Sequence, residues 1–123
     1  MNKTNFLKSC CNRILGDFCD NVYYGQCPTG DFPRIEYEFR QLDTSDEFFK
    51  YILTLNIYDK NTSEVIDDIA DTICNDIGLA IFYTKDYYLK FYKQNDRQKI
   101  NETDKSVQHI MLSFELRLYK RSE

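Results

Sequence analysis

The chain has 123 residues, 42% of them hydrophobic and 29% charged, with only four glycines and two prolines, the make-up of one folded domain rather than a disordered or fibrous segment. Sixteen basic against twenty acidic side chains leave a formal charge of −4, the wrong sign for a protein that grips nucleic acid through its phosphates. One histidine excludes every multi-histidine metal site, while ten Tyr and nine Phe are enough to fill a modest core.

The first segment predicts an amphipathic helix over residues 3–20. Phe6, Leu7, Cys10, Cys11, Ile14, Leu15 and Phe18 recur at offsets of three and four, with polar residues largely between them. No apolar run at this end reaches signal-peptide length, so a cytoplasmic, soluble start is expected. The five cysteines, at 10, 11, 19, 27 and 74, are an odd number with no C-x-x-C pair. They read as buried, reduced thiols, and a zinc site built from the first four would have the wrong spacing.

Residues 23–33 hold two glycines and both prolines and read as a connector. The period then changes to two. Ile35, Tyr37 and Phe39 alternate with Arg34, Glu36, Glu38 and Arg40, a strand with one charged face. Asp43–Asp46 reads as a turn into a longer strand over 48–58, whose odd positions are apolar and whose even face is mixed. A second helix follows, N-capped by Asn61 or Thr62. Its apolar stripe is Val65, Ile66, Ile69, Ala70, Ile73 and Ile77, and Gly78 is its stop.

A strand is predicted within Leu79–Tyr92, then a long hydrophilic loop from Lys93 to Ser106, whose one apolar residue is Ile100. The last strand alternates Ile110, Leu112, Phe114, Leu116 and Leu118 with polar and aromatic neighbours. The order α-β-β-α-β-β predicts an α+β fold, with two helices on one face of a mainly antiparallel four-stranded sheet.

Catalytic motifs do not emerge. His109 falls on the strand face opposite the apolar one and reads as solvated or interfacial, and the aspartates of the second helix read as a wet face. There is no G-x-G-x-x-G and no P-loop, so neither an enzyme nor a cofactor site is expected. Basic residues interleaved with tyrosines at 85–99 could suit single-stranded nucleic acid, but interspersed acids dilute their charge.

Several features in order carry a resemblance. They are the leading helix, the Tyr23-Tyr24-Gly25…Pro28…Gly30-Asp31-Phe32-Pro33 connector, and the charged strand from Arg34. The strand ending Asn56-Ile57-Tyr58-Asp59, the helix Val65 to Ile77, and the closing Phe114-Glu115-Leu116-Arg117-Leu118-Tyr119 strand complete them. This order resembles the tail terminator or tail-completion proteins of long-tailed phages and prophages. The resemblance implies a virion protein assembled in the bacterial cytoplasm. It would form a sixfold ring that stops growth of the tail tube and docks the head connector, with the tail-tube and connector proteins as partners and no membrane or specific nucleic acid.

A ring needs two different patches on each subunit. The candidate interface residues are Arg34, Glu36, Glu38 and Arg40 on the charged strand, with Tyr87, Tyr88, Tyr92, Arg97 and Lys99 further on. Two other readings stand beside this one: a related head–tail joining protein, and a dimeric cytoplasmic binding module that uses an exposed sheet face.

Overall fold

The computed structural model describes residues 2–42, 47–60, 64–79 and 81–121. Helix α1 spans Lys3–Leu15, and its N-cap Asn2 accepts a hydrogen bond from the Asn5 N–H at 2.8 Å. It is shorter than the 3–20 periodicity predicts. From Gly16 the bonds tighten, with the Asp17 N–H reaching Ile14 and the Phe18 N–H reaching Leu15. That tighter turn still delivers Phe18 and Cys19 to the core, so the apolar spacing outlasts the helix.

Six strands among the described residues form one mixed sheet. They are β1 (Val22–Tyr24), β2 (Arg34–Gln41), β3 (Phe48–Lys60), β4 (Ile81–Tyr83), β5 (Tyr87–Ile100) and β6 (Val107–Lys120). Their order is β1-β2-β3-β6-β5-β4, and the sheet curls into a half-barrel. The expected four-stranded antiparallel sheet is therefore wrong in three respects.

First, β1 overlaps the start of the predicted connector and pairs in parallel with β2, Val22 opposite Ile35 and Tyr24 opposite Tyr37. The chain reverses through Gly25 and Gly30, both at positive φ, which a side chain would disfavour. Second, β4 is a further edge strand. Both edge strands are three residues long, too short for an alternation to register.

Third, the predicted loop from Lys93 is mostly strand. β5 continues to Ile100 across an irregularity between Lys93 and Asp96, and only residues 101–106 connect it to β6. Asp96, Arg97, Gln98 and Lys99 are exposed, so this half of the strand has no apolar face to announce it. Its backbone pairs with β6 all the same, Arg97 opposite Leu112 and Lys99 opposite Ile110.

Helix α2 spans Glu64–Asp76 and tightens into a 3₁₀ turn over Ile77–Leu79. Ile66, Ala70, Ile73 and Ile77 are buried as predicted and Ile69 is partly so, but Val65 is 43% exposed and belongs to the outer side. The predicted caps Asn61 and Thr62, and the Asp43–Asp46 turn, lie outside the described residues. No described helix is long and apolar enough to cross a membrane.

Both helices cover one sheet face. A single core joins Phe6, Leu7, Cys11 and Leu15 of α1, Ile66 and Ile73 of α2, and the apolar rows of β2, β3, β5 and β6. Tyr37 stitches α1 to the sheet, its hydroxyl donating to Asn12 Oδ1 at 2.8 Å. All five cysteines are free thiols, and all but Cys74 are buried. Burial pushes the Cys10 thiol up to about 12, which makes it a packing group rather than a nucleophile.

Candidate functional site

The sheet face away from the helices carries the chemistry. On a strand, alternate side chains point to opposite sides, so the even residues of β2, β3 and early β5 share this face with the odd residues of β6. Apart from His109 and Ser113, which are buried, the β3 and β6 residues on it are half-buried from Phe48 to Tyr58 and from Met111 to Tyr119. Such a surface is neither a core nor a plain solvated face. Two in-register rows of side chains cross it, one at each end.

At one end stands a ladder of four aromatic rings on four neighbouring strands. Tyr83 of β4 lies opposite Tyr88 of β5, Tyr88 opposite Tyr119 of β6, and Tyr119 opposite Phe48 of β3. Tyr88 and Tyr119 stack with centroids 4.5 Å apart and planes 8° from parallel, and the flanking pairs sit at 5.9 and 5.3 Å. Below the ladder, the Arg117 guanidinium lies 4.8 Å from the Phe48 ring and 4.4 Å from that of Tyr92. Glu115 accepts from Arg117 Nε on one oxygen and meets Lys50 Nζ at 3.2 Å on the other.

Burial opposes ionisation of Glu115, but the hydrogen bonds from Arg117 and Lys50, reinforced by their charges, hold its carboxyl below the usual glutamate range. A carboxylate whose folded-state pKa is depressed stabilises the protein above its unfolded value, and that contribution is lost as pH falls through the folded one. Glu115→Gln is therefore expected to cost about 1–2 kcal/mol at pH 7. The gap between wild type and variant should close in acid, once the folded-state carboxyl is protonated. Urea melts at pH 7 and in acid check it, and a gap that is unchanged with pH would show that the carboxylate charge contributes nothing.

At the other end a second row runs Arg34–Tyr58–His109, again directly opposed on β2, β3 and β6. The Arg34 guanidinium sits 4.4 Å over the Tyr58 ring, which stacks on the imidazole at 4.2 Å. His109 is buried, contrary to the solvated reading of the sequence, because neighbouring strands and the 101–106 connector close around it. Its Nδ1 lies 2.7 Å from Glu102 Oε1 and its Nε2 lies 2.8 Å from Asn56 Oδ1. A ring that carries both protons donates to both oxygens, whereas a neutral one donates from Nδ1 to Glu102 and accepts at Nε2 from the Asn56 amide once that is turned. Glu102 belongs to the 101–106 connector, so the cluster clamps that connector to the sheet.

The predicted interface residues separate in the fold. Arg34, Glu36, Glu38 and Arg40 lie on the outer face of β2, but Arg34 and Glu36 pair with each other at 2.8 Å within the subunit. Glu38 and Arg40 are exposed. Tyr88 and Tyr92 belong to the aromatic end. Tyr87 points the other way and stacks on Phe6 of α1 at the core. Arg97 is also on the helix side, bridging Asp67 and Asp71 of α2, and Lys99 follows it on the exposed end of β5.

The sequence reading passed over Phe48, Tyr83, Tyr119, Arg117 and Arg121. Pairing strand 48–58 against 109–119 would have set Phe48 opposite Tyr119 and Tyr58 opposite His109. Tyr83 needed a strand too short to see.

The fold defines a small α+β domain whose two helices cover one side of a curled six-stranded mixed sheet and whose other side is aromatic and charged. No protein-family model matches the chain, and no curated protein matches it. Among solved structures, one whose description carries no function aligns over the whole of both chains, with a TM-score of 0.76 and 8% identity. A chain of the virion of a native gene transfer agent particle aligns over 86% of this chain and 84% of that one, with a TM-score of 0.62 and 10% identity. At these identities the likeness is one of fold.

Proposed function

We propose that this protein is a structural component of a phage-type particle, and within that class a tail terminator. In this role a homo-oligomeric ring caps the tail tube and presents a surface to the head connector. The observation that carries the class is the fold shared with a chain of the gene transfer agent virion over most of both lengths. The tail-terminator assignment rests on the segment order and on a surface suited to assembly. A half-buried sheet face rich in Tyr and Arg supplies the residue types that dominate protein interfaces.

A terminator acts by occupying the growing end of a tube. Removing its gene is therefore expected to give tails of excess and irregular length that do not join heads, seen by electron microscopy of the producing strain's particles. Supplying the gene in trans should restore uniform joined tails. Tails of normal length without the gene would overturn the terminator reading, and normal particles lacking the protein would overturn a structural role altogether.

A further inference from the structure

We propose that the aromatic end of the sheet face is the seat for helix α2 of a second copy of this chain, which makes it one half of a head-to-tail contact. The inference rests on the ring reading above and names the surfaces that would close the ring. The seat is the Tyr83–Tyr88–Tyr119–Phe48 ladder. Tyr83 is 64% exposed, more than any other large hydrophobic side chain among the described residues.

Cations outnumber acids at this end: Lys50, Lys85, Lys90, Arg117 and Arg121, against Glu47, Asp86 and Glu115, with Lys120 on the helix side of β6. Arg117 is engaged by Glu115, but the Arg121 guanidinium meets only the Thr84 carbonyl at 2.7 Å and the Tyr83 ring at 5.7 Å among the described residues. The seat is thus an apolar ladder beside an excess of positive charge among the described residues.

Helix α2 is its complement. It carries Glu64, Asp67, Asp68, Asp71 and Asp76 and no basic residue. Arg97 meets Asp67 and Asp71. The outward stripe is Val65, Asp68 and Thr72, all exposed, an aliphatic residue one turn from a carboxylate. Acidic groups towards the helix C-terminus also lie at the negative end of its dipole, where a cation from outside is favoured.

The two surfaces cannot meet within one subunit. The ladder crosses the start of β5 on the outer face, whereas Arg97, seven steps of the paired strand β6 and about 23 Å further along, touches α2 on the helix side. Complementary patches on opposite faces make a heterologous contact, the kind that closes into a ring when its rotation permits.

The test uses the full chain in sedimentation velocity and native mass spectrometry over a concentration series. Arg121→Glu and Asp68→Arg change exposed residues and should leave the circular dichroism spectrum and melting temperature unmoved. Each is expected to weaken association at least about tenfold. The two together in one chain should restore it, and wild-type association should fall with added salt.

An oligomer indifferent to both variants would overturn this contact and leave the ring reading intact. A chain monomeric to millimolar concentration would also overturn it, while the ring reading is decided separately by tail length. Binding of a single-stranded oligodeoxynucleotide that is lost in Arg121→Glu would assign the face to nucleic acid and overturn the proposed occupant.

Discussion

Phe114→Ala is expected to cost about 3–5 kcal/mol, the range for emptying an aromatic site in a close-packed core. Phe114 is 1% exposed at the middle of β6, opposite Leu53 of β3 and Lys93 of β5, with the two strands that pair most extensively in the sheet on either side. Neighbours held by two sets of ladder hydrogen bonds cannot collapse far into the void. For a domain of this size the loss corresponds to a fall in melting temperature of roughly 10–20 °C, out of a total stability of about 5–15 kcal/mol. Differential scanning calorimetry measures it directly. A drop of only a degree or two would mean that the sheet relaxes around the gap, and that the core is less tightly determined than its burial implies.

The second large effect belongs to His109→Ala. The substitution removes a partner from Glu102 and from Asn56 and leaves the Tyr58 ring without its stack. Lost hydrogen bonds to partly buried groups cost about 1–3 kcal/mol, and the ring pair adds about 0.5–1.5 kcal/mol. A total of about 2–4 kcal/mol is expected. The damage should be concentrated in the 101–106 connector, because Glu102 is the side chain through which it is fastened to the sheet. Hydrogen exchange should show faster exchange at the first residues of β6 than at its centre. Asn56→Ala combined with His109→Ala should cost less than the sum of the two singles, by at least about 0.5 kcal/mol. Strict additivity would show that the two side chains are neighbours without being partners.

How far the sequence discloses this molecule follows from where each segment keeps its apolar residues. β2, β3 and β6 lie in or beside the middle of the sheet with one face on the core, so Ile35, Leu53 and Leu112 announce them through strict alternation. α1 and α2 declare themselves by their stripes. β1 and β4 are edge strands held by a few backbone bonds and have no room for a pattern. The far half of β5 is a strand because β6 offers it a partner, a tertiary cause that its exposed Asp96–Lys99 run does not record. The interface residues fared in the same way. Alternation over 87–92 already sets Tyr88 and Tyr92 on the face away from Tyr87, but only the fold shows that Arg97 is matched to α2. Tyr119 and Phe48 gain meaning from being opposite each other across 71 positions of chain, a relation no local window contains.

The clamp on the connector has one practical consequence. Because the chain has a single histidine, its imidazole gives one pair of carbon-bound proton resonances, from a ring that stacks on Tyr58 and is hydrogen-bonded through Nδ1 to Glu102. Ring current from a face-on tyrosine displaces them from the positions of a free imidazole. Docking of the connector, and any change in it as subunits assemble, can thus be followed in the unlabelled, unmodified protein by one pair of signals.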